Sequence, residues 1–311
     1  MSTAEAAPAP GGGTALIPDG GTAPAAGDTA RRGVVRPWLR MLRSELALIF
    51  RRWRNLLLLA VLVGIPVLLG IALRVSVPRG GNNSGNGLGA AFLFQVAGNG
   101  VFLSFLSLTI MLTLVLPLVV AVVAGDSLAG EASAGTLRYL LVVPAGRSRL
   151  LSVKYAAIVV FSVISCLLVA ATALIMGVAL FPVGPVTLLS GTTVPLAEGL
   201  LRLLFVVLYV SAAMAMLGAI GLAISSLTEH PIAAIAAVMI IAVASEVADN
   251  VPQFGVVHPY LPTHWWLSFD SLLRTPIDTT ELTHGLLSIG IYIVIFCSIA
   301  WARFSNADVT S

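Results

Sequence analysis

The side chains able to do chemistry gather in one polar stretch of this 311-residue chain, Gly125 to Lys154, GDSLAGEASAGTLRYLLVVPAGRSRLLSVK. It carries Glu131, a Gly135-Thr136 pair, the basic residues Arg138, Arg147 and Arg149, and the only lysine, Lys154. It lies between two long apolar runs, and we read it as the grip of a soluble partner on a membrane protein. Enzyme chemistry is poorly supplied. A phosphate-binding P-loop needs Gly-Lys, whose ammonium reaches the terminal phosphates. Here Val153 precedes the single lysine, so no Walker-type site is present. A zincin needs His-Glu-x-x-His, but the four histidines are followed by Pro231, Pro259, Trp265 and Gly285.

Within the stretch, Gly125-Asp126-Ser127-Leu128 spells the nucleophile block of the GDSL hydrolases. Their serine works with a later Asp-x-x-His, which this sequence lacks, and the block lies at the mouth of an apolar helix. The hydrolase reading is therefore set aside. His258 and His264 offer two imidazoles, and two ligands do not make a metal site. They read as polar members of an aromatic loop with Tyr260, Trp265 and Trp266, and no metal ligand set is assigned. Glu246 and Asp249 close an apolar run and suit a helix end. Cys166 and Cys297 lie in apolar runs and read as buried thiols.

The bulk composition says what must position these groups. With 58% hydrophobic and 10% charged residues and a mean hydropathy of +1.00, the chain cannot clothe a water-soluble surface, for which about 25% charge is usual. A polytopic helical membrane protein needs far less, and a net charge of +3 then speaks to topology rather than to nucleic acid. Residues 1–30 are rich in Ala, Pro, Gly and Thr and read as a disordered tail. In 36–54, RPWLRMLRSELALIFRRWR, the residues Leu39, Leu42, Leu46, Ile49, Phe50 and Trp53 share one helical face. Arg40, Arg43, Arg51 and Arg54 lie toward the other, so Trp38 to Arg54, Arg52 included, suits a helix lying in the membrane interface. A basic flank that only sets topology is the alternative.

Six spans are expected at about 55–75, 101–124, 155–180, 199–225, 232–248 and 284–303. Small residues on the fourth (Ser211, Ala215, Gly218, Ala219, Gly221, Ser225) let helices approach closely. The loop between spans five and six is expected to form short, partly re-entrant helices. Thirteen of the seventeen basic residues fall on the side of the N-terminus and the polar stretch. The positive-inside rule puts that side, with both termini, in the cytoplasm. The stretch itself reads as a helix from Ser127 to Val143, ended by Pro144-Ala145-Gly146. Such a helix can dock into a cleft of a soluble protein or lie on lipid.

The order Glu131, Gly135-Thr136, Leu137-Arg138, Pro144, Arg147-Ser148-Arg149, then Lys154 opening a span, resembles the permease subunits of type 2 ATP-binding-cassette (ABC) transporters. The resemblance covers roughly 36–303, including the interfacial helix, the six spans and the outer loop. It implies an all-α permease domain over 31–303, with a cytoplasmic coupling helix between spans two and three and a short tail over 304–311. It implies residence in a prokaryotic cytoplasmic membrane, pairing with a second permease (the same chain or another), and contact with membrane lipids. Two cytoplasmic ATPase subunits would supply ATP and Mg; no cofactor would be bound by this chain. Glu131 would make a charge-assisted contact with the ATPase or the interfacial helix, and Gly135 would allow close backbone approach. Arg138 and Arg147 would pair with partner acids or lipid phosphates. An irregularity in the helix would also explain Gly135-Thr136. A stand-alone secondary transporter or channel-like protein is the other class, expected to carry a polar site at mid-membrane.

Overall fold

The computed structural model describes residues 26–76, 99–135, 147–188 and 190–306, giving only the backbone for 26–37, 76, 147, 305 and 306. Eight helices are described: α1 Ala26–Arg51, α2 Trp53–Ser76, α3 Phe102–Thr113, α4 Val115–Ser133, α5 Arg147–Leu180, α6 Leu196–Ser225, α7 Pro231–Asp249 and α8 Thr279–Asn306. Six of them (α2, α4, α5, α6, α7 and α8) are long and apolar enough to cross a bilayer. The chain is thus a mostly helical, multi-pass membrane protein.

Sequence and structure differ where backbone chemistry intervenes. The second crossing is two helices, α3 and α4, broken at Leu114 (φ −144°, ψ −46°). Pro117 explains the break: it has no N–H to offer the Thr113 carbonyl four residues back, and its ring crowds that carbonyl. α4 then runs past Ala124 to Ser133, so Asp126 and Glu131 ride on the end of a crossing helix. The helix expected over 127–143 stops there, and Gly135 takes φ +69°, a left-handed setting that costs glycine little. Thr136, Leu137, Arg138 and Pro144 lie outside the described residues. α5 begins at Arg147, two turns before the expected Tyr155. The loop after the third crossing holds a small antiparallel ladder, β1 (Val186–Thr187) with β2 (Thr193–Val194).

α6 is the axis of the bundle. Some 78% of its apolar window is buried, against 17% for α2 and α8 and 22% for α7. All six small residues named for it are buried. Gly221 brings α6 onto α4, where an added Cβ would stand 2.6 Å from the Ala124 Cβ. In lipid, apolar burial gives little drive between helices, so such tight packing and interhelical hydrogen bonds hold them together. Gly125 does the same toward α7, where a Cβ would meet the Ile235 backbone N at 2.9 Å. The opposite end of the bundle closes where Gly100 and Gly177 meet backbone to backbone. There Asn99 donates from Nδ2 to the Gly184 and Pro185 carbonyls at 2.8 and 2.9 Å. Leu57, Leu68 and Ile71 on α2, Ile240 on α7 and Leu287, Ile291 and Val294 on α8 are exposed, as befits helices facing lipid.

The stretch between α7 and α8 forms three 3₁₀ turns, Pro252–Phe254, His258–Tyr260 and His264–Leu273. Trp266, Phe269, Leu272 and Leu273 bury themselves against the bundle. Cys166 and Cys297 are free thiols, the first buried and the second partly so.

Candidate functional site

Charged groups converge where α1 meets the ends of α4 and α5. α1 presents Trp38, Met41, Leu42, Glu45, Leu46, Ile49 and Phe50 inward in the helical 3–4 repeat. Leu39 and Trp53, placed with them on one face from the sequence, are 52% and 72% exposed. Trp38 donates its indole N–H to Ser152 Oγ of α5 at 3.3 Å. Glu45, the one acid on this face, meets Lys154 Nζ at 3.5 Å. Lys154 is also 2.5 Å from Glu131 Oε1. Its side chain is 3% exposed, and those of Glu45 and Glu131 are 15% and 18% exposed. One cation thus ties α1, α4 and α5 together.

A second junction lies at the α1–α2 break. Arg52 sits between the two helices, and its guanidinium pairs with Asp126 of α4. Arg54 Nη2 reaches the same carboxylate oxygen at 3.0 Å. The break is pinned by Asn55, which is buried and donates from Nδ2 to the Ile49 carbonyl at 2.9 Å. The two junctions share a cavity of about 50 Å³ lined by Glu45, Arg52, Asn55, Asp126, Glu131 and Lys154. Pockets for drug-sized ligands run to roughly 300–1,000 Å³, so this cavity suits water-sized occupants and not cargo. Three acids face three bases, so the network is balanced: a charge-assisted clamp rather than an ion sink.

From its other side, the α4 end is fastened to α6. Ser225 Oγ accepts the backbone N–H groups of Leu128 and Ala129 at 3.0 and 2.8 Å and donates to the Gly125 carbonyl at 2.8 Å. Ser127 donates its hydroxyl to the Ala124 carbonyl at 2.6 Å, a helix back-bond and not a nucleophile's contact. Among the described residues, no group of three or more His, Cys, Asp or Glu side chains could hold a metal.

Of the residues named from the sequence, Glu131, Trp38, Arg52 and Arg54 come together here. Arg40, Arg43, Arg51 and Trp53 lie on the exposed side of the α1–α2 elbow. Gly135 ends the described part of the stretch, and Arg147 opens α5. Sequence reasoning did not assign Glu45, Asp126 or Asn55 to the site, and it named Lys154 in the polar stretch only as the residue opening a span, with no partner. A readable signal was present for two of them: Glu45 is the lone acid among the apolar positions of 36–54, and Lys154 is the lone lysine.

The far end of the bundle holds a separate polar group. His264 Nδ1 lies 2.6 Å from Asp249 Oδ1, and Tyr209 donates to the Trp265 carbonyl at 2.6 Å. Arg202, largely buried on α6, donates from Nη1 to the carbonyls of Leu272 and Arg274 at 2.7 and 3.1 Å. It also pairs with Glu198 at 2.7 Å. These contacts fasten the 3₁₀ segment down. The helix-end role expected of Asp249 is what it plays.

A family model described as "Protein of unknown function (DUF2705)" matches residues 57–310. No curated protein matches the chain.

Proposed function

Because the chain belongs to the family described as a protein of unknown function (DUF2705), a description that names no activity, we propose a role from its site: the membrane-spanning permease subunit of a type 2 ABC exporter. The observation that carries this reading is the clamp. The end of α4 is joined to α1 and α5 through Lys154, to the elbow through Asp126, and to α6 through Ser225. A push on the segment following α4 would be delivered to four helices at once. The sequence has no nucleotide-binding motif of its own, so the push comes from a separate ATPase, in two copies, holding that segment on the cytoplasmic side. ATP and Mg belong to that partner. A second permease, identical or not, completes the membrane unit in the cytoplasmic membrane of a prokaryote. The apolar spans favour a lipophilic or amphiphilic cargo. Among the described residues the buried charges, Lys154 and Arg202, both lie within two turns of a helix start, whereas a stand-alone transporter would want one at mid-depth.

The test is co-reconstitution with a nucleotide-binding subunit that co-purifies with this chain. Substrate-stimulated hydrolysis is expected, and Glu131→Ala is expected to abolish the stimulation while membrane insertion continues. Transport by the purified chain without ATPase would instead establish the stand-alone class.

A further inference from the structure

One buried polar atom at the clamp is not accounted for by its ion pairs. Asn55, in the first turn of α2, is 2% exposed and faces the cavity. Its Nδ2 donates to the Ile49 carbonyl. Its Oδ1 is buried and has no hydrogen-bond partner among the described residues. Buried polar side chains nearly always find a partner, protein or water, and an amide oxygen denied one bears its full desolvation cost.

Lys154 supplies the matching donor. An ammonium has three protons. Glu131 Oε1 takes one at 2.5 Å and Glu45 Oε2 a second at 3.5 Å, which leaves one for the cavity. The volume of about 50 Å³ exceeds the roughly 10–15 Å³ that a single water needs. Charge decides between water and an ion. Glu45, Asp126 and Glu131 are offset by Arg52, Arg54 and Lys154. A bound cation would leave the site one charge in excess, and uncompensated charge is costly where it is buried. A neutral molecule that both accepts and donates fits.

We propose that the cavity is an internal water site, in which water accepts a hydrogen bond from Lys154 Nζ and donates one to Asn55 Oδ1. The water joins α2 to α5 and gives the ammonium somewhere to turn. Lys154 holds Glu131 closely and Glu45 loosely. If α1 draws Glu45 away, the freed N–H meets water and not an apolar wall, so the charged seam opens without stranding a buried cation. The inference stands apart from the transport reading, because it needs no ATPase.

The experiment is microsecond X-ray radiolysis of the full chain in nanodiscs, read by mass spectrometry of oxidised side chains. Water held inside a protein forms radicals in place and oxidises the buried side chains beside it. Ile158, 1% exposed, lines the cavity. Leu108 of α3, 0% exposed, is the dry control, and exposed Leu227 in the turn between α6 and α7 reads bulk water. Ile158 should be oxidised well above Leu108. On rapid mixing into heavy-oxygen water, its heavy label should appear later than that of Leu227. Exchanging sodium and potassium for choline should change nothing. Asn55→Leu should bring Ile158 down to the level of Leu108, whereas Asn55→Ser, smaller and still polar, should keep the signal. Unchanged Leu108 and Leu227 show that both variants fold, and the first three readings need no variant. Ile158 as silent as Leu108 means a dry cavity and overturns the proposal. So does heavy oxygen that reaches Ile158 as fast as Leu227, which means a cleft open to bulk. A signal that survives Asn55→Leu, or one that falls in choline and so marks a metal cation, overturns it as well.

Discussion

Lys154 gives the sharpest test of the clamp. It is 3% exposed and serves two carboxylates, Glu131 at 2.5 Å and Glu45 at 3.5 Å. Lys154→Met keeps most of the volume but strands both acids. Removing one partner of a buried pair costs roughly 3–5 kcal/mol, because a buried charge is left uncompensated. The acids are 18% and 15% exposed, so the low end, about 3 kcal/mol, is expected. Glu131→Leu should cost less, since Lys154 keeps Glu45. The double variant Glu131→Leu/Lys154→Met should recover only part of the loss: an apolar pair replaces the Glu131–Lys154 pair at little cost, while Glu45 stays without its cation. The cycle then shows a coupling of roughly 1–2 kcal/mol, within the range for groups in contact. The assay is reversible unfolding of the full chain in mixed micelles, titrated with dodecyl sulfate. Additive single and double costs, or a loss below about 1 kcal/mol for Lys154→Met, would refute the reasoning.

Three further substitutions probe the joints around the clamp. Ser225→Ala removes the acceptor of two backbone N–H groups of α4; a loss of about 1–3 kcal/mol in the same unfolding assay is expected, with Ser225→Thr costing extra through crowding. Gly100→Ala and Gly177→Ala each push a methyl into the other's backbone. Each should destabilise by about 1–3 kcal/mol, and the pair should not be additive, as thermal unfolding of single and double variants would show. Arg202→Met releases the carbonyls of Leu272 and Arg274. Amide exchange should then quicken over 264–274 and stay unchanged on α4 and α5; uniform quickening would mean that Arg202 supports the whole bundle.

What could be read in the sequence follows from what each signal averages over. A span is a sum over about twenty apolar residues, so six crossings were visible, and the described residues hold six helices long and apolar enough to make them. The small residues of α6 were legible for the same reason, as a stripe of repeated choices. Single-residue events were not. One proline, Pro117, divides the second crossing at Leu114, and a sum over the whole span does not register it. Apolar and polar residues alternate through 125–133 in a way that suits either a separate surface helix or the end of a crossing helix. The tight Gly125–Ile235 and Gly221–Ala124 approaches continue the crossing. The apolar positions of 36–54 divide in the structure, with Leu42, Leu46, Ile49 and Phe50 turned to the bundle and Leu39 and Trp53 exposed, because a strip facing lipid and a strip facing protein are both apolar. Only Glu45, an acid placed among leucines, could have told them apart.

The joints differ in stiffness, and the difference has a consequence for mechanism. α4 meets α6 and α7 through glycine, alanine and serine backbone contacts, which have little room to slide. It meets α1, α5 and the elbow through long, flexible Lys154, Arg52 and Arg54 side chains. Interfaces of the first kind carry displacement rigidly, since packed interiors deform little. Those of the second kind allow the partners to pivot while the charges stay paired. A load on the end of α4 would therefore move α4, α6 and α7 as one body, together with α5, whose Ile158 packs onto Gly218 of α6, and swing α1 against them about the charged seam. Cross-linking across α4–α6 should leave such a motion free, whereas cross-linking α1 to α4 across the seam should stop it. Arrest by the α4–α6 link alone would place the hinge elsewhere.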